Sequence, residues 1–180
     1  MYLMLRFVAS CVAFSLLGLA SPALAADLEA SSSQRLQIHG DVAQHCAISS
    51  PGNVDFGNLG GGGEQADLQF GLDCNVPFVM NVQAQYGALT NLEYPKGQGP
   101  YAGSLPYVLD FSIPARTPAA SVITASLNSH DLIGGKSISS AGAIATEGMQ
   151  VHVTLGHAEG EAGLLAGNYG ETITITMSSI

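Results

Sequence analysis

Met149-Gln150-Val151-His152-Val153-Thr154-Leu155 alternates apolar and polar side chains without a break. In an extended chain successive side chains point to opposite faces, so Met149, Val151, Val153 and Leu155 fall on one side. A helix would scatter them. The stretch therefore reads as a strand with one face on a core and the other in water. The same period recurs in Leu68-Gln69-Phe70-Gly71-Leu72, in Phe78-Val79-Met80-Asn81-Val82-Gln83-Ala84 and in Tyr107-Val108-Leu109-Asp110-Phe111-Ser112-Ile113. It returns at Ile173-Thr174-Ile175-Thr176-Met177, and near the N-terminus at Leu36-Gln37-Ile38-His39-Gly40-Asp41-Val42. Val54 and Phe56 mark a shorter strand. Turn signals separate these runs: Ser50-Pro51-Gly52-Asn53, the Pro- and Gly-rich stretch from Tyr94 to Pro100, Gly134-Gly135, and Gly160 to Gly163. Ser139 to Thr146 is a weak helix candidate. Strands with no helices between them predict an all-β fold, a single antiparallel sandwich.

The start of the chain stands apart. Arg6 precedes a small and apolar run from Phe7 to Leu19, and Ala23-Leu24-Ala25 has the small-x-small form of a cleavage site. That order predicts a secretory signal peptide over residues 1–25, too short in its apolar part to span a bilayer. Val8-Ala9-Ser10-Cys11 resembles a lipoprotein processing site, but most of the apolar run follows Cys11 instead of preceding it. Residues 26–43 then read as a polar tail leading into the first alternating strand, and residues 44–180 as one sandwich domain. No other long apolar run exists, so no membrane-spanning segment is expected in the mature chain.

Without the signal, four cations (Arg35, Lys96, Arg116, Lys136) face 14 acids, a formal charge of 4 − 14 = −10. Nucleic-acid binding needs several cations on one face, and none cluster here. Two cysteines remain, Cys46 and Cys74. In an oxidising compartment their default is a disulfide closing 74 − 46 = 28 residues, worth about 3.5 kcal/mol in the chain-entropy model. Two free thiols are the alternative.

Chemistry is sparse. Gly60-Gly61-Gly62-Gly63 lacks the Lys-Ser/Thr of a phosphate loop and reads as a flexible connection. His39, His45, His130, His152 and His157 show no metal-ligand spacing. No serine sits in a Gly-x-Ser-x-Gly elbow, and Glu159 and Glu161 lie in a glycine-rich turn where exposed acids are ordinary. The expectation is a protein that is not an enzyme and takes no cofactor. Leu36, Ile38 and Val42 form an apolar face behind a polar tail. They either start the chain's own sandwich or pair with a neighbouring subunit, and alternation alone does not separate the two.

Several features in combination resemble the spore coat protein U-like family, which includes subunits of archaic chaperone–usher pili. They are the strand Leu36-x-Ile38-x-Gly40-x-Val42 before Cys46, the segment Val54-Asp55-Phe56-Gly57, and Cys74. Leu105-Pro106-Tyr107-x-Leu109 and the terminal Gly167-Asn168-Tyr169-Gly170-Glu171-Thr172-Ile173 complete the set, with Glu171 where the family usually has Asp. The stretch from Tyr86 to Leu105 departs from the family pattern. The resemblance implies an incomplete immunoglobulin-like sandwich, completed by a donor strand from a neighbouring subunit. It also implies a periplasmic chaperone and an outer-membrane usher as partners, a disulfide between Cys46 and Cys74, and a place in a fibre at the cell surface. Donor roles pass to Leu36, Ile38, Gly40 and Val42, with Gly40 where a bulky side chain does not fit. The receiving groove is expected to use inward residues such as Val151, Val153, Ile173 and Ile175. The alternative is a monomeric secreted binding module that holds a carbohydrate or surface ligand. Tyr94, Tyr101 and Tyr107 would be its contacts, although the phase of Tyr107 points to the core.

Overall fold

The computed structural model describes residues 33–180. The expected signal peptide and the tail up to residue 32 lie outside the described residues. The chain divides into a short N-terminal unit ending at Gly40 and a body from Asp41 to Ile180.

The body begins with β1 (Cys46–Ser49), β2 (Gln65–Cys74) and β3 (Phe78–Ala84), followed by the short β4 (Leu89–Asn91) and β5 (Ser104–Leu105). A long hairpin follows, β6 (Tyr107–Thr117) and β7 (Ala119–Asn128), and then a 3-10 turn at Ser129–Gly134. β8 (Lys136–Ser139), β9 (Met149–Leu155), β10 (Tyr169–Gly170) and β11 (Ile173–Ser179) complete the chain. A five-stranded antiparallel sheet runs β1-β2-β9-β6-β7, and a three-stranded one runs β11-β3-β8. A small sheet, β10-β4-β5, holds the divergent stretch. The protein is an all-β antiparallel sandwich, as the alternation predicted.

Period two explains the core. In β3 the side chains of Phe78, Met80, Val82 and Ala84 are buried while their neighbours are not, and β9 buries Met149, Val151, Val153 and Leu155 in the same way. β6 contributes Leu109, Phe111 and Ile113 between β9 and β7. These three rows meet Leu72, Leu132 and Ile138 in one continuous cluster. Burying each such side chain contributes about 1.5–3 kcal/mol, so most of the driving force lies where the sequence alternates.

The structure departs from the sequence reading in several places. Residues 36–42 form no strand. Val54 and Phe56 lie in an irregular segment, not a strand. Ser139 to Thr146 is not helical: β8 ends at Ser139, and a turn follows with Ala141 at φ 51° and Gly142 at φ 89°. Beyond it single bridges join Ala145 to Cys74 and Ile144 to Arg116. The strand expected over Tyr107–Ile113 continues through Pro114 to Thr117. Pro114 lacks an N–H, but it lies beyond the ladder to β9, which ends at Ser112 opposite Gln150. The Gly60–Gly63 connection is tied down: Gly63 N–H donates to the Leu155 carbonyl at 3.0 Å and Gly62 bridges His157. Gly62 has φ 125°, and a Cβ there would strike the Gly156 carbonyl.

Cys46 and Cys74 are bonded and face each other across β1 and β2, so the expected disulfide is present. It staples the edge strand β1 to its neighbour.

Candidate functional site

β11 is an edge strand. It hydrogen-bonds β3 on one side, from Ile173 opposite Ala84 to Ser179 opposite Phe78. Among the described residues no strand pairs with its other side. Beside that free edge lies a cleft of about 740 Å³.

Its floor is the inner face of the large sheet: Leu109 and Phe111 from β6, Val151 and Val153 from β9. One wall is Ile173 and Ile175 of β11. The opposite wall is Ile48, Leu68 and Phe70, extended by Val54 and Phe56 of the irregular segment after β1. Val151, Val153, Ile173 and Ile175, the residues expected to line a groove, all line this cleft. Ile173 is 36 % exposed, although its phase belongs to the interior. Among the described residues no strand lies over it, and this inward-phase residue faces solvent.

One end of the cleft is built by Glu171. Its Oε1 accepts the backbone N–H groups of Gln85, Tyr86 and Thr172 at 3.1, 3.1 and 2.7 Å. Its Oε2 accepts those of Gly87 and Ala88 at 2.7 and 3.2 Å, sharing Tyr86 at 3.2 Å. The turn after β3 therefore wraps around one carboxylate. Charge-assisted bonds of this kind are about twice as strong as neutral ones, so the start of β11 is fixed firmly. Tyr107 lies at the same end. Its ring is core, as its phase indicated, and among the described residues its buried hydroxyl has no partner within hydrogen-bonding geometry, the Glu171 carboxylate being its nearest charge. Burial, and then the Glu171 charge, push the phenol far above its ordinary range.

The residues expected to act as a donor strand are placed differently. Leu36, Ile38 and Val42 are 83, 84 and 86 % exposed. A Cβ on Gly40 would meet nothing within 4 Å. Among the described residues these three large apolar side chains belong to no sheet.

Sequence reasoning missed two polar anchors. Asn75 brackets the segment before β1, accepting from His45 N–H and donating to the Ala43 carbonyl, both at 2.8 Å. Tyr169 donates to the Leu165 carbonyl at 2.6 Å and holds the loop above β10. Both contacts join segments unrelated by any local pattern. The Gly-x-Tyr of the terminal motif was the one legible signal.

A second, more polar cleft of about 830 Å³ lies among the loops and includes Lys96, Tyr101, His130, Glu159 and Glu161. Tyr94 is exposed and is not part of its lining. His45 and His152 each pair with a carboxylate, Asp73 at 3.1 Å and Asp67 at 2.7 Å. Among the described residues no three His, Cys, Asp or Glu side chains converge as metal ligands, and no helix is long and apolar enough to cross a membrane. No family model matches the chain, and no curated protein matches it in sequence.

Proposed function

We propose that this chain is a structural subunit of an extracellular fibre, assembled by donor-strand exchange and serving attachment or biofilm formation. One observation carries the reading. Among the described residues a strand edge without a neighbour lines an apolar cleft, while an alternating apolar segment of the same chain is exposed and belongs to no sheet. Adding a strand along β11 satisfies both, with backbone bonds for affinity and alternate side chains for fit.

Strand order supports it. A seven-stranded immunoglobulin sandwich sets A, B, E and D against C, F and G. Here β1, β2, β9 and β6 take the first four places in that order, and β3 and β11 take C and F. Among the described residues no strand stands in the place of G beside β11. Filling it with Leu36, Ile38 and Val42 buries surface worth roughly 5–9 kcal/mol before ordering costs. An exposed edge of this kind invites aggregation. A periplasmic chaperone that covers it in transit, and an outer-membrane usher that delivers the subunit to the cell surface, fit that need.

The experiment uses the mature chain lacking residues 26–42 and a synthetic peptide spanning Leu36 to Val42. Raised thermal stability of the truncated chain on adding peptide supports the reading. A truncated chain as stable as the full one, and indifferent to peptide, overturns it. That result favours the second reading, a monomeric binding module. Tyr101 beside Glu159, Glu161 and His130 in the polar cleft is the feature that favours it, since aromatic faces with carboxylates suit a carbohydrate.

A further inference from the structure

An arm and a groove in one chain can meet within the chain or between copies, and Asn75 bears on which. Its side chain holds Ala43 and His45, and its backbone N–H donates to the His45 carbonyl at 3.1 Å. The next residue, Cys46, is bonded to Cys74. The root of the arm therefore runs fixed alongside the end of β2.

The cleft lies at the other end of β1. It uses Ile48 and the residues after Ser50, and on β11 only the first half, up to Ile175. Ser179, opposite Phe78, is at Asn75's end. To enter its own cleft the arm has to double back along the free edge of β1. The tightest hairpin places two residues in the turn. With Ala43 and His45 held, the turn falls on Asp41 and Val42. Gly40 then opposes Ala43, Ile38 opposes His45, and Leu36 opposes Ala47, one residue short of Ile48. Val42 is consumed by the turn. With Ala43 and His45 released, the turn moves to Ala43 and Gln44. Ile38 then opposes Ser49 and Leu36 opposes Pro51, level with the cleft.

We propose that Asn75 is a positioning residue that bars the arm from its own groove, so that the occupant is the arm of a second copy. The proposal rests on the donor-strand reading above and adds what keeps a subunit from closing on itself.

The test compares three full-length mature chains: the natural one, Asn75→Ser, and one with Gly-Ser-Gly-Ser inserted between Val42 and Ala43. Each is refolded at high dilution. The monomer fraction is measured by sedimentation, and arm protection by tryptic cleavage at Arg35. Asn75→Ser is expected to raise the fraction of protected monomer about tenfold, the scale of two lost hydrogen bonds. The insertion is expected to do the same with Asn75 intact, which covers a failure of the serine variant to fold. If the truncated chain binds the Leu36–Val42 peptide but neither variant gains protected monomer, the role of Asn75 is overturned and strand exchange stands. If the truncated chain ignores the peptide, the donor-strand reading falls and this inference falls with it.

Discussion

The Glu171 carboxylate receives the Gly87 backbone N–H at 2.7 Å, a contact that joins the second residue before β11 to the turn after β3. Glu171→Gln keeps an oxygen for one set of donors and turns an amide N–H₂ toward the other. Buried or half-buried donors left facing a donor cost about 1–3 kcal/mol, more where a charge was involved. Urea unfolding of the variant is expected to show a loss of roughly 2–4 kcal/mol. A loss within experimental error would mean that the turn does not depend on the carboxylate.

The Tyr107 hydroxyl is buried without a partner at the end of the cleft. Removing an orphaned buried hydroxyl relieves its desolvation, so Tyr107→Phe is expected to be neutral or to stabilise the isolated chain by about 1 kcal/mol. Thermal unfolding measures it. A marked loss of stability would show that the hydroxyl is bonded in solution.

Reducing the Cys46–Cys74 bond reopens a 28-residue loop and frees the edge strand β1. Denaturant unfolding with and without reductant is expected to differ by about 3.5 kcal/mol. Cys46→Ser paired with Cys74→Ser should match the reduced protein, and a gap between them would point to an effect of buried serine at position 74.

Ile175 walls the cleft on the unpaired strand. Ile175→Asp is expected to weaken binding of the Leu36–Val42 peptide to the truncated chain more than about tenfold, because a charge would then need burial on docking. Val122, 58 % exposed on β7, is outside the cleft, and Val122→Asp should leave binding unchanged. Calorimetric titration distinguishes them, and equal effects would place the peptide elsewhere.

The Glu64 carboxyl is held below its usual value of 4.5, chiefly by the Gly60 backbone N–H it accepts at 2.6 Å. A lowered folded-state value means the contribution is complete above the unfolded value and is lost as pH falls through the folded one. The melting temperature of the natural chain should therefore fall more steeply than that of Glu64→Gln as the pH drops below the ordinary carboxylate range. Parallel curves would remove Glu64 from the acid response.

Alternation by itself determined the strands whose two faces see opposite surroundings. β3 spans Phe78–Ala84 and β9 spans Met149–Leu155, as the pattern dictated, because burial on one side leaves a period of two in the residues. β7 was missed because it closes the sheet's edge. Only Ile123, Ala125 and Leu127 are half-buried, and small polar residues serve on the rest of the strand. The inward positions of the cleft were legible for the same reason as the core, since Ile173 and Ile175 carry the core's pattern whether or not a strand covers them. Alternation also marked Leu36, Ile38 and Val42, yet it could not say that they join no sheet among the described residues. Pairing is a property of two segments brought together. Only the tertiary structure decided that β11 has a bare edge, that Val54 and Phe56 serve as a wall instead of a strand, and that Glu171 and Asn75 anchor backbone far from them in sequence. Those contacts depend on distances between remote backbone groups, which local spacing does not encode.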